Sequence, residues 1–298
     1  MMGVIFLFID GIGLGKPGPE NPLSDVKWEA FKRLTGGEGL VGHKSPVQSR
    51  NLFFTGVDAT LGVNGLPQSG TGQASLFTGK NAAKILGRHF GPYPHSAIRY
   101  LLEEESLFHQ VMDAGLRPQL INAYPEVYFK TMTERNRWTC TTLMAKSVGQ
   151  NLNGLEQVQE GRSITAGMIQ HAWREKLNLD VEEITPEIAA DRLIEVSDSY
   201  DLVMYEYYLT DKAGHSKSEA TSYEILSVLN RFLSRILDRK RPDTTMVLSS
   251  DHGNLENLAV KTHTRNPVPL IISGTGASEI KRAESIMDVP AVILQLLQ

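Results

Sequence analysis

The chain has 298 residues, enough for one substantial core or a core with a small second unit. It is 41% hydrophobic and 21% charged, the make-up of a soluble globular protein, and a net charge of -4 without a Lys/Arg run gives no field for nucleic acid. Its single cysteine, Cys140, excludes an internal disulfide and any thiolate zinc site. These features read as a cytoplasmic protein with neither a nucleic-acid nor a membrane partner.

Residues 4–9 form a continuous apolar run, the pattern of a central strand covered on both faces. The run is far too short to span a bilayer and has no basic segment before it. It ends at Asp10-Gly11-Ile12-Gly13-Leu14-Gly15. The glycine spacing approaches a dinucleotide fingerprint, but the acid comes first and Pro17 and Pro19 follow, so no helix starts there. An acid at the end of a buried strand is the more informative feature, because open α/β sheets carry their sites at that edge. A helix is expected over 25–35, and loop over 36–56 with a short strand at 51–54.

The segment 66–79 is the centre of the reading. A Pro and two Gly surround Ser69, and small and apolar residues follow, which suits a tight turn feeding a helix. Unpaired amides at a helix start attract an anion, and a Ser held there is a candidate nucleophile. The competing reading is a Ser that merely caps the helix.

Beyond it, 81–94 is a loop carrying the cation Arg88 and the imidazole His89, 96–114 a helix and 118–123 a strand. From 124 to 189 the pattern changes to three polar-rich helical segments, 138–149, 163–177 and 186–196, with no convincing strand. We expect a small cap insertion there, so the core comprises 1–123 and 190–298. Strands follow at 201–207, 244–250 and 270–273, with an amphipathic helix over 218–237 and a helix closing the chain.

Three of the expected strands thus lead into acids or acid–imidazole sets: Asp10, Asp211 with His215, and Asp251 with His252. His263 stands just before a fourth strand. In a parallel sheet the strand ends share one edge, so these side chains can converge. Asp211 and His215 fall on one face if the helix has already begun. Three carboxylates and three imidazoles suit two divalent ions with a position left open for substrate. Such a pair activates a hydroxyl and clamps a phosphoryl group, and Ser69 is the natural hydroxyl.

These residues carry a resemblance. The chain resembles the alkaline phosphatase superfamily of metalloenzymes, nearest the branch of cofactor-independent phosphoglycerate mutase and phosphopentomutase. The matching pieces are Asp10-Gly11-Ile12-Gly13, Ser69-Gly70-Thr71-Gly72-Gln73, Asp211-Lys212-Ala213-Gly214-His215, Asp251-His252-Gly253-Asn254 and the run from His263 to Pro269. The resemblance implies an α/β three-layer sandwich with a mostly parallel sheet and the small, mainly helical cap. It also implies that Asp10, Ser69, Asp251 and His252 surround one metal ion, Mn²⁺ or Zn²⁺, and that Asp211, His215 and His263 hold another. Thr71 is a rival nucleophile by chemistry alone. Gly70, Thr71, Gln73, Arg88, His89 and Lys80 are candidate contacts to a small phosphorylated substrate. Gln73 stands where the mutases have a His, and the insertion is much smaller than the domain that encloses their substrate. The expected activity is therefore a phosphohydrolase acting through phosphoserine. A phosphomutase is the alternative, and a non-catalytic metal-binding regulator is a third.

Overall fold

The computed structural model describes residues 3–25, 27–42 and 45–298. Its strands are β1 (Gly3–Ile9), β2 (Val47–Ser49), β3 (Leu52–Val57), β4 (Pro118–Leu120), β5 (Asn122–Ala123), β6 (Ile164–Thr165), β7 (Leu202–Tyr207), β8 (Thr244–Ser249) and β9 (Val268–Ser273). Seven of them form one sheet in the order β2-β3-β9-β8-β1-β7-β4. The block β8-β1-β7-β4 is parallel, whereas β9 joins β8, β3 joins β9 and β2 joins β3 antiparallel.

That change of direction positions the site. Because β9 runs against β8, its start lies beside the ends of β1, β7 and β8. His263 reaches the common edge for this reason, and not as the end of a parallel strand. β3 runs with β1, so its end at Val57 feeds the loop to Ser69 from the same edge.

Among the described residues the helices are α1 (Glu29–Thr35), α2 (Ser69–Thr78), α3 (Ala82–Leu86), α4 (Arg99–Glu104), α5 (Leu107–Asp113), α6 (Glu126–Arg135), α7 (Cys140–Ser147), α8 (Leu155–Gln159), α9 (His171–Leu177), α10 (Pro186–Ser197), α11 (Leu209–Ser216), α12 (Glu219–Arg239) and α13 (Val289–Leu296). Successive residues of β1 point to opposite faces. Val4, Phe6 and Phe8 pack with α2, α4, α5, α7 and α13, and Phe8 meets Phe77 edge-on at 5.1 Å. Ile5, Leu7 and Ile9 pack with α1, α10 and α12. Two helical layers around one sheet give the three-layer α/β fold. The long α12 starts at Ser218, whose side chain accepts from the Thr221 amide, and it buries Leu226, Leu229, Phe232, Leu233 and Ile236 along one stripe.

Several boundaries differ from expectation. The helix expected over 25–35 begins only at Glu29, with a 3₁₀ turn at Pro22–Ser24, and position 26 lies outside the described residues. The helix over 96–114 is broken in two between α4 and α5. The strand over 118–123 divides, since β4 joins the main sheet and β5 pairs with β6. Within 124–189, α7 buries Cys140, Leu143, Met144 and Ala145 in the first core. α10 buries Ala189, Ala190 and Leu193 in the second. Ala123, Val158, Trp173 and Val181 form a small core of their own around β5, β6, α8 and α9. The Arg192 guanidinium, from α10, ties that unit down by donating to the carbonyls of Val158 and Ser163 and to the Gln170 side chain.

Candidate metal centre

The edge collects seven side chains from five segments. Asp10 directly follows β1 and is 6% exposed. Ser69 opens α2, but Gln68 is the capping residue, and the Ser69 hydroxyl lies 3.0 Å from His252 Nε2. The hydroxyl is thus turned into the cluster and does not cap the helix. Asp251 and His252 follow β8 and are fully buried. His252 Nε2 stands 3.4 Å from Asp10 Oδ1 and 3.5 Å from Asp251 Oδ2.

The second group is built on α11. Asp211 and His215 are one helical turn apart and meet at 3.3 Å. His263 Nε2 lies 3.1 Å from His215 Nε2 and 3.6 Å from Asp211 Oδ1. The other ring nitrogens of these histidines face carbonyls, His263 Nδ1 towards Pro67 O at 2.7 Å and His215 Nδ1 towards Lys261 O at 2.9 Å. Such contacts fix the tautomer and leave Nε2 free as a ligand. The His252 ring stacks on His263 at 3.8 Å, so His252 stands within reach of both groups.

The electrostatics of this cluster are unfavourable without a cation. Burial, followed by Asp251, Asp211 and Glu206, raises the Asp10 carboxyl well above the usual range. Burial and then Asp211 raise Asp251 as well. Burial, followed by the neighbouring His263, holds the His252 imidazole well below its ordinary value. Asp10 Oδ1 and both Asp251 oxygens are buried with no hydrogen-bond partner among the described residues. Unpaired buried acceptors of this kind are costly, and a divalent ion satisfies them directly. The donor set of carboxylates, imidazoles and one hydroxyl fits such ions.

Neighbouring residues hold the cluster together. Gln73 donates from Nε2 to Asp10 Oδ2 at 3.3 Å, so its amide is engaged by a carboxylate. Thr71 is fully buried; its amide donates to Phe90 O at 2.8 Å and its hydroxyl accepts from the Phe90 amide at 3.1 Å. Thr71 is therefore a brace for the 90–93 loop. A Cβ on Gly70 would stand 2.3 Å from Tyr93 O, which explains the glycine beside Ser69. Asn254 donates to Asp211 Oδ1 at 2.7 Å. The remaining substrate candidates lie apart. Arg88 sits over the Phe90 ring at 5.7 Å, and His89 Nε2 faces Val63 O at 3.3 Å. Lys80 pairs with Glu105 past the far end of α2.

The sequence pattern alone does not single out Asn254, Glu256 or Glu206. Asn254 closes the Asp-His-Gly-Asn run, and Glu256 follows two residues beyond it between Leu255 and Asn257. Glu206 lies inside the apolar strand β7, where a carboxyl is itself a signal. It accepts from Thr141 Oγ1, and burial pushes its pKa up to about 7. The folded metal-free protein thus holds this proton more tightly than the unfolded chain. The contribution is intact below about pH 4.5 and is lost as pH rises through about 7. Glu206→Gln should flatten that decline, gaining on the order of 3 kcal/mol at most by about pH 8. Thermal unfolding of both metal-free proteins across this range checks it.

The fold resembles that of solved alkaline phosphatases, and the cluster is a candidate centre for divalent ions. A protein of Pyrococcus horikoshii superposes with a TM-score of 0.60 at 14% identity, covering 99% of this chain and 96% of that one. The alkaline phosphatase of the Antarctic bacterium TAB5 gives 0.56 at 11%, covering 99% and 97%. At these identities the likeness is one of fold. The chain belongs to the Metalloenzyme superfamily, whose family model matches residues 2–298. Membership places it among metal-dependent enzymes that bind divalent ions. The 2,3-bisphosphoglycerate-independent phosphoglycerate mutase of Prochlorococcus marinus (strain MIT 9313) is 31% identical over 137 residues, 39% of this chain and 25% of that protein. The chain therefore spans about a quarter of the length of the curated relatives it matches.

Proposed function

We propose that the protein is a two-metal phosphoryl-transfer enzyme working through phosphoserine at Ser69, and a phosphohydrolase of a small phosphate ester. The observation that carries this reading is the Ser69 hydroxyl, 3.0 Å from His252 Nε2 and beside carboxylates with unfilled acceptor positions. Asp10, Ser69, Asp251 and His252 would hold one ion, and Asp211, His215 and His263 the other. His252 goes with the first group because it faces Asp10, Asp251 and Ser69 at once. Bound ions supply a lowered hydroxyl pKa and neutralise charge on the phosphoryl oxygens.

The chain's own residues supply the nucleophile and its alignment. Ser69 Oγ attacks phosphorus, the bond to the leaving alcohol breaks, and that alcohol takes up a proton. Water then attacks the phosphoserine, restoring the Ser69 hydroxyl and releasing inorganic phosphate. The Thr71 amide is committed to Phe90 O, so the Ser69 and Gly70 amides are the donors left for a phosphoryl oxygen at this helix start. Gly91 lies against them: a Cβ there would stand 3.1 Å from Ser69 N and 3.2 Å from Gly70 N. Gly91→Ala should accordingly weaken inhibition by inorganic phosphate about tenfold or more, read as a rise in its inhibition constant. A cavity of about 260 Å³ on this loop, lined by Phe90, Tyr93, His95, Arg99, Arg137 and Trp138, would take the organic part of the ester.

Carboxylate and imidazole ligands without thiolate suit Mn²⁺ or Zn²⁺, and the likeness to the mutases favours Mn²⁺. A cytoplasmic setting without nucleic-acid or membrane partners belongs to the same proposal. It is supported by the net charge of -4 and by the lack, among the described residues, of a helix long and apolar enough to cross a membrane. The mutase alternative has the sequence similarity in its favour. Against it, Gln73 cannot carry a proton, and the segment with its own small core is short for a domain that must exclude water. Incubation with 3-phosphoglycerate and with ribose 5-phosphate under Mn²⁺ tests the choice. Phosphate release should outrun isomerisation, and faster isomerisation of either compound would make the protein a mutase.

A further inference from the structure

The loops that carry the proposed ligands do not meet only at the ions. They also meet at one carboxylate, that of Glu256, which is 2% exposed. Its Oε2 accepts from the Gly13 amide at 2.9 Å and from the Asn254 amide at 2.8 Å. Its Oε1 accepts from Asn266 Nδ2 at 3.0 Å and from the Thr264 hydroxyl. Gly13 follows Asp10, Asn254 follows Asp251 and His252, and Thr264 adjoins His263. The carboxylate is fitted closely: a Cβ on Gly13 or on Gly253 would stand 2.3 Å from Oε1.

Two further links extend this node to both ligand groups. Asn254, whose amide Glu256 fixes, uses its side chain on Asp211 Oδ1 and on Asp211 O. Thr264 donates its amide to Gly253 O at 2.9 Å, binding the His263 loop to the His252 loop. Asp10 follows β1 at once and Asp251 comes two residues after β8. His263 sits on a loop, and Asp211 takes its Asn254 hydrogen bond from a side chain that Glu256 orients. The Asp211 group therefore depends on Glu256 more than the Asp10 group does.

We infer that Glu256 is a positioning residue that couples the two halves of the metal centre, so that an ion in the Asp10/Ser69/Asp251/His252 half prepares the Asp211/His215/His263 half for the second. This rests on the two-ion reading above. Glu256 touches neither ion nor substrate. Its carboxylate accepts from all three loops at once, and ordering one loop orders the others.

Titrating the metal-free protein with Mn²⁺, with bound and free ion counted separately, tests the inference. Wild type should take up two equivalents in one steep step. Glu256→Gln keeps one acceptor oxygen but turns an NH₂ either towards the Gly13 and Asn254 amides together or towards the Asn266 amide and the Thr264 hydroxyl. It should bind the first ion within about threefold of wild type and the second about 30-fold more weakly, in two separate steps. In a double-mutant cycle with His263→Ala, the two changes should fail to add, because both remove the same ion. Thr264→Val, which cuts a single link to the His263 loop, should show the same selective loss at smaller size and serves if Glu256→Gln does not fold. A residue that only supports the fold would weaken both ions alike, and that result, or unchanged binding in either variant, overturns the inference. If wild type itself takes fewer than two equivalents, the two-ion reading falls and the coupling with it.

Discussion

Ser69→Ala should lower turnover of a phosphate ester by at least about 10³-fold while the protein stays folded, because the covalent route is removed and the remaining groups have no second nucleophile in place. The variant should still bind metal, since Asp10, Asp251 and His252 keep one half of the centre and the other half does not involve Ser69. The contrast with Thr71 sharpens this expectation. Thr71 is spent on Phe90 through both its amide and its hydroxyl, so Thr71→Val should act mainly on stability and loop geometry. Steady-state rates and thermal unfolding of the two variants side by side separate these roles.

Metal removal should have an effect of similar size. Without cations, the Asp10 and Asp251 carboxyls are buried with unpartnered oxygens, and burial raises both pKa values, helped by Asp251 and Asp211 at Asp10 and by Asp211 at Asp251. Dialysis against a chelator should abolish turnover, and Mn²⁺ or Zn²⁺ should restore it. Unfolding should shift in parallel, because ions that bind only the folded state add about 3 kcal/mol at a concentration a hundredfold above Kd. Calorimetry with and without ions measures the shift, and an unchanged unfolding temperature would mean that the cluster holds no ion.

Much of the fold was legible because the central strands announce themselves. β1 is an apolar run, β7 and β8 carry apolar stretches at 202–205 and 246–248, all three are buried throughout, and α12 has a clear apolar stripe. Strand direction was not legible. Nothing in residues 268–273 says that β9 runs backwards, yet its reversal carries His263 to the edge. α7 was read as part of a polar segment because Thr141 and Thr142 count as polar in a sequence; both are fully buried, and α7 lies in the first core. Apart from Ser69, the side chains that converge at the edge are each visible in the sequence as an acid or imidazole near an expected strand. Their support is not. Gln73, a candidate phosphate contact, also donates its amide to Asp10, and Glu256 takes hydrogen bonds from a residue 243 positions away. Local pattern can point to a ligand-bearing residue. A hydrogen-bond acceptor that serves distant backbone amides leaves no local trace.

The most direct measurement for phosphoserine chemistry is to trap the phosphoryl group itself. Metal-loaded protein is mixed with a ³²P-labelled phosphate ester, quenched in acid within one turnover, and mapped by peptide mass spectrometry. The account predicts label on Ser69, absent from Ser69→Ala and from metal-free protein. Turnover with no covalent label, or label on Thr71, would contradict it.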